Sequence, residues 1–219
     1  MLRIIRTEDG SQSLYDEELN ETYHSTKGAR AESEYVFLKM GLDALVEGMS
    51  NNESRISILE VGFGTGLNAW LTWKWAIDRN VSIHFHTLEP FPVSMELVKQ
   101  MDLATDARFI NIHEAKWNET TPLDTLFSLE KSMSKLEESE LTDSYDCIFF
   151  DAFAPSKQPE VWSLENLQKC FEALKPNGLL TTYCAQGQFK RNLTSVGFEV
   201  EVLPGALGKK EMVRGRKIN

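Results

Sequence analysis

Ile56-Ser-Ile-Leu-Glu-Val-Gly-Phe-Gly-Thr-Gly-Leu-Asn-Ala-Trp70 is the stretch whose reading decides the fold. The apolar run Ile56 to Val61 predicts a buried strand. Gly62, Gly64 and Gly66 follow at alternate positions, and Leu67 to Ala76 predicts a helix. Strand, glycine turn and helix together make the first crossover of a nucleotide-binding α/β domain. Glycine suits the turn because a side chain would keep a ligand off the backbone amides. The helix start adds free N–H groups and a partial positive charge. A tight glycine turn in an unrelated α/β domain is the plainer alternative.

Spacing narrows the choice. The dinucleotide fingerprint G-x-G-x-x-G would need glycine where Leu67 stands. The chain has G-x-G-x-G, with Glu60 two residues before Gly62. That form resembles motif I of the class I S-adenosylmethionine (SAM) methyltransferases, whose ligand is a cation without a pyrophosphate. A carboxylate at the strand end suits a methionine and sulfonium group better than phosphate. The resemblance implies cofactor contacts from Glu60, Gly62, Phe63, Gly64, Thr65, Gly66 and Asn68.

The length of 219 residues fits one domain with a modest extension. Hydrophobic content of 42% and charged content of 26% allow a full globular core. No apolar stretch approaches the roughly 18 residues of a membrane helix, and Met1-Leu-Arg-Ile-Ile-Arg lacks a signal-peptide core, so no membrane is expected. Cys147, Cys170 and Cys184 form no C-x-x-C pair and read as small buried thiols in a reducing, cytoplasmic setting. His84 and His86 share one strand face without further ligands nearby, so no metal is expected. The net charge of −10 argues against broad nucleic-acid binding. Lys209, Lys210, Arg214, Arg216 and Lys217 nevertheless crowd the C-terminal end. A basic end on an acidic body can hold a phosphate backbone locally; a solvated tail is the alternative.

In chain order, Leu2–Thr7 and Ser13–Tyr15 flank the turn signal Asp9-Gly10 and predict a hairpin. Ala31 to Val46 predicts an amphipathic helix closed by Asn51-Asn52. This N-terminal unit, residues 1–50, should pack on the core of residues 51–219 as a cap or flank of one overall domain. Val81–Leu88 predicts a second strand ending in Glu89-Pro90, whose carboxylate reaches ribose hydroxyls at the neighbouring strand end. Pro92–Met101 predicts a helix, Arg108–Ile112 a third strand followed by His113-Glu114-Ala115, and Leu123–Glu138 a charged, exposed helix. Tyr145–Phe150 is apolar enough for the centre of a parallel sheet. Leu164–Leu174 predicts a helix, Leu179–Cys184 a strand, Gly187–Val196 a helix and Phe198–Leu203 a strand, with Glu211–Arg216 as a further antiparallel strand. The alternation argues a doubly wound, Rossmann-like sheet with an N-terminal hairpin-plus-helix extension.

The second informative run is Phe149-Phe-Asp-Ala-Phe-Ala-Pro-Ser-Lys-Gln-Pro-Glu-Val-Trp162. Asp151 is the first polar residue after a buried strand, where a doubly wound sheet opens its crevice. We read it as a group that holds a substrate amine, with Phe153 walling the pocket; a turn cap before Pro155 is the alternative. Three stretches carry a more specific likeness: Gly62–Asn68, Asp151–Trp162 and Gly205-x-x-Gly-Lys-Lys-Glu-Met212. With Glu32-Ser-Glu-Tyr-Val-Phe-Leu38, they resemble the methyltransferase half of the MnmC family, whose stand-alone versions are called MnmD. The likeness spans nearly the whole chain.

That resemblance implies a class I SAM methyltransferase fold and methylation of 5-aminomethyl-2-thiouridine to 5-methylaminomethyl-2-thiouridine at the tRNA wobble position. The implied partners are SAM, tRNA and the enzymes that make the aminomethyl uridine. The chain ends at Asn219, so the FAD-dependent oxidase half, and FAD with it, is not expected. Asp151 and Phe153 are the expected catalytic residues, with Asp151, Glu89, Pro90 and Glu114 added to the cofactor set. Tyr23 would wall the site or stack on a base, and Lys157, Lys209, Lys210 and Arg214 would meet phosphates. Two features depart from the family. Glu34 stands where some members are basic, and His113-Glu114-Ala115 replaces a Gly-Asp pair, leaving Glu114 to reach adenine with a longer arm. Two other classes stay open: a small-molecule amine alkyltransferase like spermidine synthase, and a non-catalytic SAM- or RNA-binding module.

Overall fold

The computed structural model describes residues 1–48, 55–141 and 144–218. Asn51-Asn52, expected to close the first long helix, lies outside the described residues. The N-terminal segment is a three-stranded antiparallel sheet of β1 (Leu2–Arg6), β2 (Gln12–Asp16) and β3 (Glu21–Thr22). Its turn carries Asp9-Gly10, as the hairpin signal requires, with Gly10 at φ 84°. A helical run follows: α1 (Ala29–Ser33), a π-helical stretch (Glu34–Asp43) and α2 (Ala44–Gly48). The π turns sit where Gly41 lies flat on the sheet: a Cβ there would meet Thr181 Oγ1 at 3.3 Å and the Phe149 ring at 3.5 Å.

The remaining elements alternate. They are β4 (Ile56–Val61), α3 (Leu67–Arg79), β5 (Ile83–Leu88), α4 (Met95–Val98), α5 (Ala107–Glu114), β6 (Thr120–Pro122) and β7 (Phe127–Ser132). Then come β8 (Tyr145–Phe150), α6 (Leu164–Ala173), β9 (Leu174–Thr182), α7 (Gly187–Ser195), β10 (Phe198–Leu203) and β11 (Met212–Lys217). Eight strands form one sheet in the order β10-β11-β9-β8-β4-β5-β7-β6. The five central strands, β9 to β7 in that order, run parallel. β11 pairs antiparallel with both β9 and β10. The chain starts at β4, winds out through β5 and β7, and returns to β8 on the other side of β4. The strand order therefore reverses between β4 and β8, where such sheets open a ligand crevice.

Both faces of the sheet are covered. Cys147 and Phe149 of β8 face one core with Phe37, Phe85 and Phe127. Ile148 and Phe150 face the other with Trp162, Leu167 and Phe189. Truncating a fully buried ring such as Phe149 to alanine costs roughly 3–5 kcal/mol. On α3, the indoles of Trp70, Trp73 and Trp75 are buried but not orphaned. They donate to Asp106, Asp124 and Asp43 on three different neighbours. Each aspartate thus pins the helix that opens the site.

Two expectations reverse. Arg108–Ile112 is not a strand but part of α5, capped by the Asp106 side chain accepting from Arg108 N at 2.9 Å. Its buried residues, Phe109, Ile112 and His113, follow helical spacing. The third parallel strand is instead β7, inside the stretch expected to be a charged helix. Phe127, Leu129 and Lys131 point inward. Lys131 is only 1% exposed, yet its ammonium donates to the last carbonyls of α5, Ile112 at 2.9 Å and His113 at 2.7 Å. The helix expected at Pro92–Met101 contracts to α4.

The N-terminal layer is tied down by one carboxylate. Asp9 accepts from Thr7 Oγ1 (2.7 Å), Ser11 N (3.0 Å), Ser11 Oγ (2.6 Å) and Ala31 N in the first turn of α1 (3.1 Å). Partial burial pushes its carboxyl up, but those donors outweigh burial and bring it to about 2. A folded value below the unfolded one makes the stabilisation complete above about pH 4 and lost as pH falls toward about 2. Asp9→Asn should therefore cost about 1 kcal/mol near neutral pH, a figure discounted for solvent screening. Urea unfolding of parent and variant should show the gap closing as pH drops through that window.

Candidate active site

The crevice between the ends of β4 and β8 holds a cavity of about 520 Å³. Gly62, Phe63 and Gly64 line one side, and Glu89, Pro90 and Phe91 follow from the end of β5. Ser134 and Lys135 come from the segment after β7, and Asp151 and Phe153 from the end of β8. The N-terminal segment adds Asp16 at the end of β2 and Leu19, Tyr23 and His24 from the turns that flank β3.

The glycine turn is left-handed at Gly62 (φ 96°), Gly64 (φ 51°) and Gly66 (φ 72°). A Cβ on Gly62 would sit 2.7 Å from the Asp151 carbonyl oxygen, and one on Gly64 would sit 3.0 Å from the Tyr23 ring. Glu89 locks the turn from the next strand: Oε2 accepts from Gly64 N at 3.0 Å and Oε1 from Phe91 N at 2.8 Å. Burial pushes its carboxyl up, opposed by those backbone donors.

Asp151 follows β8 directly, its N–H bonded to the Val61 carbonyl at 3.0 Å. Its Oδ2 accepts from Asn68 Nδ2 on α3 at 2.8 Å. Glu60, fully buried behind it, accepts from Thr87 Oγ1 at 2.7 Å, with Asn68 beside its carboxyl. Burial holds both carboxyls well above the usual range. At Asp151 the Glu32 charge adds to this, while Asn68 and Lys209 oppose it.

A second cavity, of about 140 Å³, lies against the first. Tyr23, His24, Asp151 and Phe153 line both, so these residues form the wall between them. Glu32, Tyr183 and Lys209 belong to the second alone. Tyr23 and Phe153 meet edge to face at 4.9 Å. The Phe153 backbone is held by Gln158 Oε1 accepting from its N–H and Trp162 Nε1 donating to its carbonyl.

The expected residues divide accordingly. Gly62, Phe63, Gly64, Glu89, Pro90, Asp151, Phe153, Tyr23 and Lys157 share the first cavity. Glu60, Thr65, Gly66 and Asn68 stand behind its wall instead of lining it; the Thr65 carbonyl is taken by His113 Nε2 at 3.0 Å. Glu114 is exposed at the end of α5, away from the cavity, because the third parallel strand is β7. Arg214 is no surface cation: it pairs with Glu201 across the β10–β11 ladder and donates to the Met40 carbonyl at 2.9 Å. Lys157 spends its ammonium on the Leu19 carbonyl at 2.8 Å. Lys210 is exposed, whereas Lys209 turns inward onto Glu32. Sequence reasoning missed Glu32, His24 and Tyr183. Glu32 opened a stretch singled out for family likeness, but nothing in its spacing put it beside Asp151.

The donor set fits a cationic ligand. Glu89 and Asp151 line the cavity, and Glu60 stands behind them, close enough that both charges raise its carboxyl. Among the described residues no group of three or more acidic, His or Cys side chains is placed to hold a metal ion. None of their helices is long and apolar enough to cross a membrane.

A glycine turn, a carboxylate on the neighbouring strand and a switch-point cavity define a class, and comparison with known families agrees. The chain belongs to the S-adenosyl-L-methionine-dependent methyltransferases, whose family model matches residues 94–218. A relative from Cupriavidus necator is 31% identical over 90% of this chain. One from Leptospira interrogans is 29% identical over 91%. Both are called tRNA 5-methylaminomethyl-2-thiouridine biosynthesis bifunctional protein MnmC. The chain spans about a third of those relatives, 32% and 33% of their lengths. The fold of MnmC2 from Aquifex aeolicus superposes with a TM-score of 0.82 at 22% identity, over 100% of this chain and 70% of that one. Spermidine synthase from Thermotoga maritima shares the fold at a TM-score of 0.56 and 12% identity, over 99% and 79%.

Gly64 gives a direct test of the turn. Valine at that φ is strained, and its Cβ would press on Tyr23. Calorimetry on folded Gly64→Val should show SAM affinity reduced at least roughly tenfold, the equivalent of about 1.4 kcal/mol of strain and lost contact.

Proposed function

We propose that this chain is the N-methyltransferase that converts 5-aminomethyl-2-thiouridine to 5-methylaminomethyl-2-thiouridine at the tRNA wobble position. The observation that carries the reading is Asp151 standing in the common wall of two cavities. The larger is bounded by the glycine turn and Glu89; the smaller opens on the other side. The names of the relatives support the substrate. An enzyme that makes the aminomethyl uridine supplies it.

Gly62, Phe63, Gly64, Glu89 and Pro90 hold SAM in the larger cavity. Glu60, Thr65, Gly66 and Asn68 keep the turn and Asp151 in place from behind. Bound SAM supplies an already activated methyl group, so the protein's task is alignment and charge control. Asp151 accepts a hydrogen bond from the acceptor amine and stabilises positive charge as it grows on nitrogen. Asn68 fixes the carboxylate that does so. Phe153 and Tyr23 wall the site with crossed rings and offer faces on which a splayed-out base can stack. The N-terminal extension caps the crevice and excludes water. Holding the reactants in line supplies much of the remaining acceleration. Lys210 remains a phosphate contact in this reading; Arg214 does not.

Mass spectrometry of tRNA nucleosides from cells with and without this chain tests the substrate: the methylaminomethyl nucleoside should disappear and the aminomethyl one accumulate. Asp151→Asn tests the mechanism. It keeps a hydrogen-bond acceptor but loses the charge that matters most in the transition state. Single-turnover transfer to aminomethyl-tRNA should slow roughly 30- to 1,000-fold, or about 2–4 kcal/mol, with SAM affinity nearly unchanged. Parental turnover, or loss of SAM binding, would remove Asp151 from this role.

A further inference from the structure

The smaller cavity contains an ion pair that the mechanism above does not use. Lys209 pairs with Glu32, a carboxylate that is buried and already accepts from Ser25 N at 3.1 Å. The Lys209 ammonium also lies 5.2 Å from the centre of the Tyr183 ring, and the Tyr183 hydroxyl donates to the Ala152 carbonyl at 2.8 Å. The loop that carries it is tightly wound. Leu207 is left-handed, and a Cβ on Gly205 would fall 2.6 Å from the Lys209 carbonyl. The cation is therefore held in one place, and that place is the cavity that Asp151 also lines.

We propose that Lys209 is a positioning residue for charge: its fixed ammonium shifts the amine in the acceptor cavity toward its neutral form, against the carboxylates that hold it as an ammonium ion. The inference rests on the methyltransferase reading above and deepens it. A free primary amine is mostly protonated at neutral pH, with the lysine reference near 10.4. Only the neutral amine has a lone pair to form the new N–C bond. As the C–S bond of the donor breaks, its electron pair stays on sulfur, and nitrogen ends as a secondary ammonium. The extra proton of the entering R–NH3⁺ must leave first, to water, so that the cavity holds R–NH2; the same Lys209 charge opposes the burial of Asp151 and favours its ionised form.

The groups facing the cavity set the sign of the Lys209 contribution. Asp151 comes from the end of β8, Tyr183 from the end of β9 and Lys209 from the loop before β11. Glu32 comes from α1, Glu21 from β3, and Tyr23 and His24 from the turn that follows it. Burial drives His24 down to about 4 and raises Tyr23 and Tyr183, so these three are neutral. The carboxylates all pull protons in, and Lys209 is the cation among these lining residues that pushes one out. A fixed positive charge favours the state with one proton fewer. The same opposition acts on Asp151, which Glu32 raises and Lys209 lowers. This use also explains why a lysine expected at phosphate turns inward.

The test is the pH dependence of single-turnover methyl transfer to aminomethyl-tRNA at saturating SAM, in the parent, Lys209→Met and Lys209→Arg. The acid limb of that profile reports groups in the loaded complex. In Lys209→Met the limb should move up by about one pH unit, leaving the rate about tenfold lower below the limb and parental above it. Lys209→Arg should restore the parental limb. SAM titration of each variant confirms that the protein is folded. A Lys209→Met rate lowered equally at every pH would make the residue merely structural and overturn the proposal. So would an unmoved limb with a salt slope of tRNA binding reduced by about 0.7–0.9, the signature of a phosphate contact. A parent that does not methylate aminomethyl-tRNA would instead overturn the functional reading, and this inference with it.

Discussion

The bond from the Asp151 N–H to the Val61 carbonyl joins the two strands whose ends make the site. It extends the parallel register of β4 and β8 by one step past Val61 and Phe150. That step brings the Asp151 carbonyl so close to Gly62 that no Cβ fits between them. The glycine turn and the aspartate are thus one construction. Everything else braces it: α3 supplies Asn68 to hold the carboxylate, β5 supplies Glu89 to hold the turn, and the tryptophans of α3 anchor the helix through aspartates on neighbouring segments.

The electrostatics follow from the same crowding. Burial raises the carboxyls of Glu60, Glu89 and Asp151, and at Glu60 the charges of Asp151 and Glu89 add to it. A site of this kind is costly in the empty protein and relieved by a cationic ligand. That is why motif I with a glutamate suits a sulfonium and an α-ammonium but would repel a pyrophosphate. The overall charge of −10 is consistent with this chemistry at the site.

Much of this was legible in the chain. The apolar runs of β4 and β8, the turn glycines, and Glu89 and Asp151 as first polar residues after their strands all carry local signals. What failed was β7, and the reason is Lys131. An inward lysine breaks the alternation that marks a strand, and only the C-terminus of α5, distant in sequence, supplies the carbonyls that make its burial tolerable. Conversely Phe109, Ile112 and their β-branched neighbour Ile110 mimic a strand until Asp106 caps the helix. Misplacing that strand put Glu114 at an expected strand end, whereas it stands exposed at the end of α5, away from the cavity. Glu32, His24 and Tyr183 could not be found because their role is set by tertiary proximity.

The basic C-terminal end shows the same limit for charge. Read as a tail, five cations suggest a phosphate clamp. Folded, most of that stretch is β11, a strand inside the sheet, and its cations answer to internal acceptors. Arg214 meets Glu201 and Met40, Arg216 the Asn177 carbonyl, and Lys217 the Leu174 carbonyl. Strand-ending carbonyls and a cross-strand glutamate are nearer than any nucleic acid could be. In the tRNA reading proposed above, an acidic protein binds RNA through few contacts near the crevice, and its selectivity comes from the cavity around Asp151. Charge placement inside that cavity then matters more than net charge outside it, which gives a single buried ion pair its leverage over the acceptor.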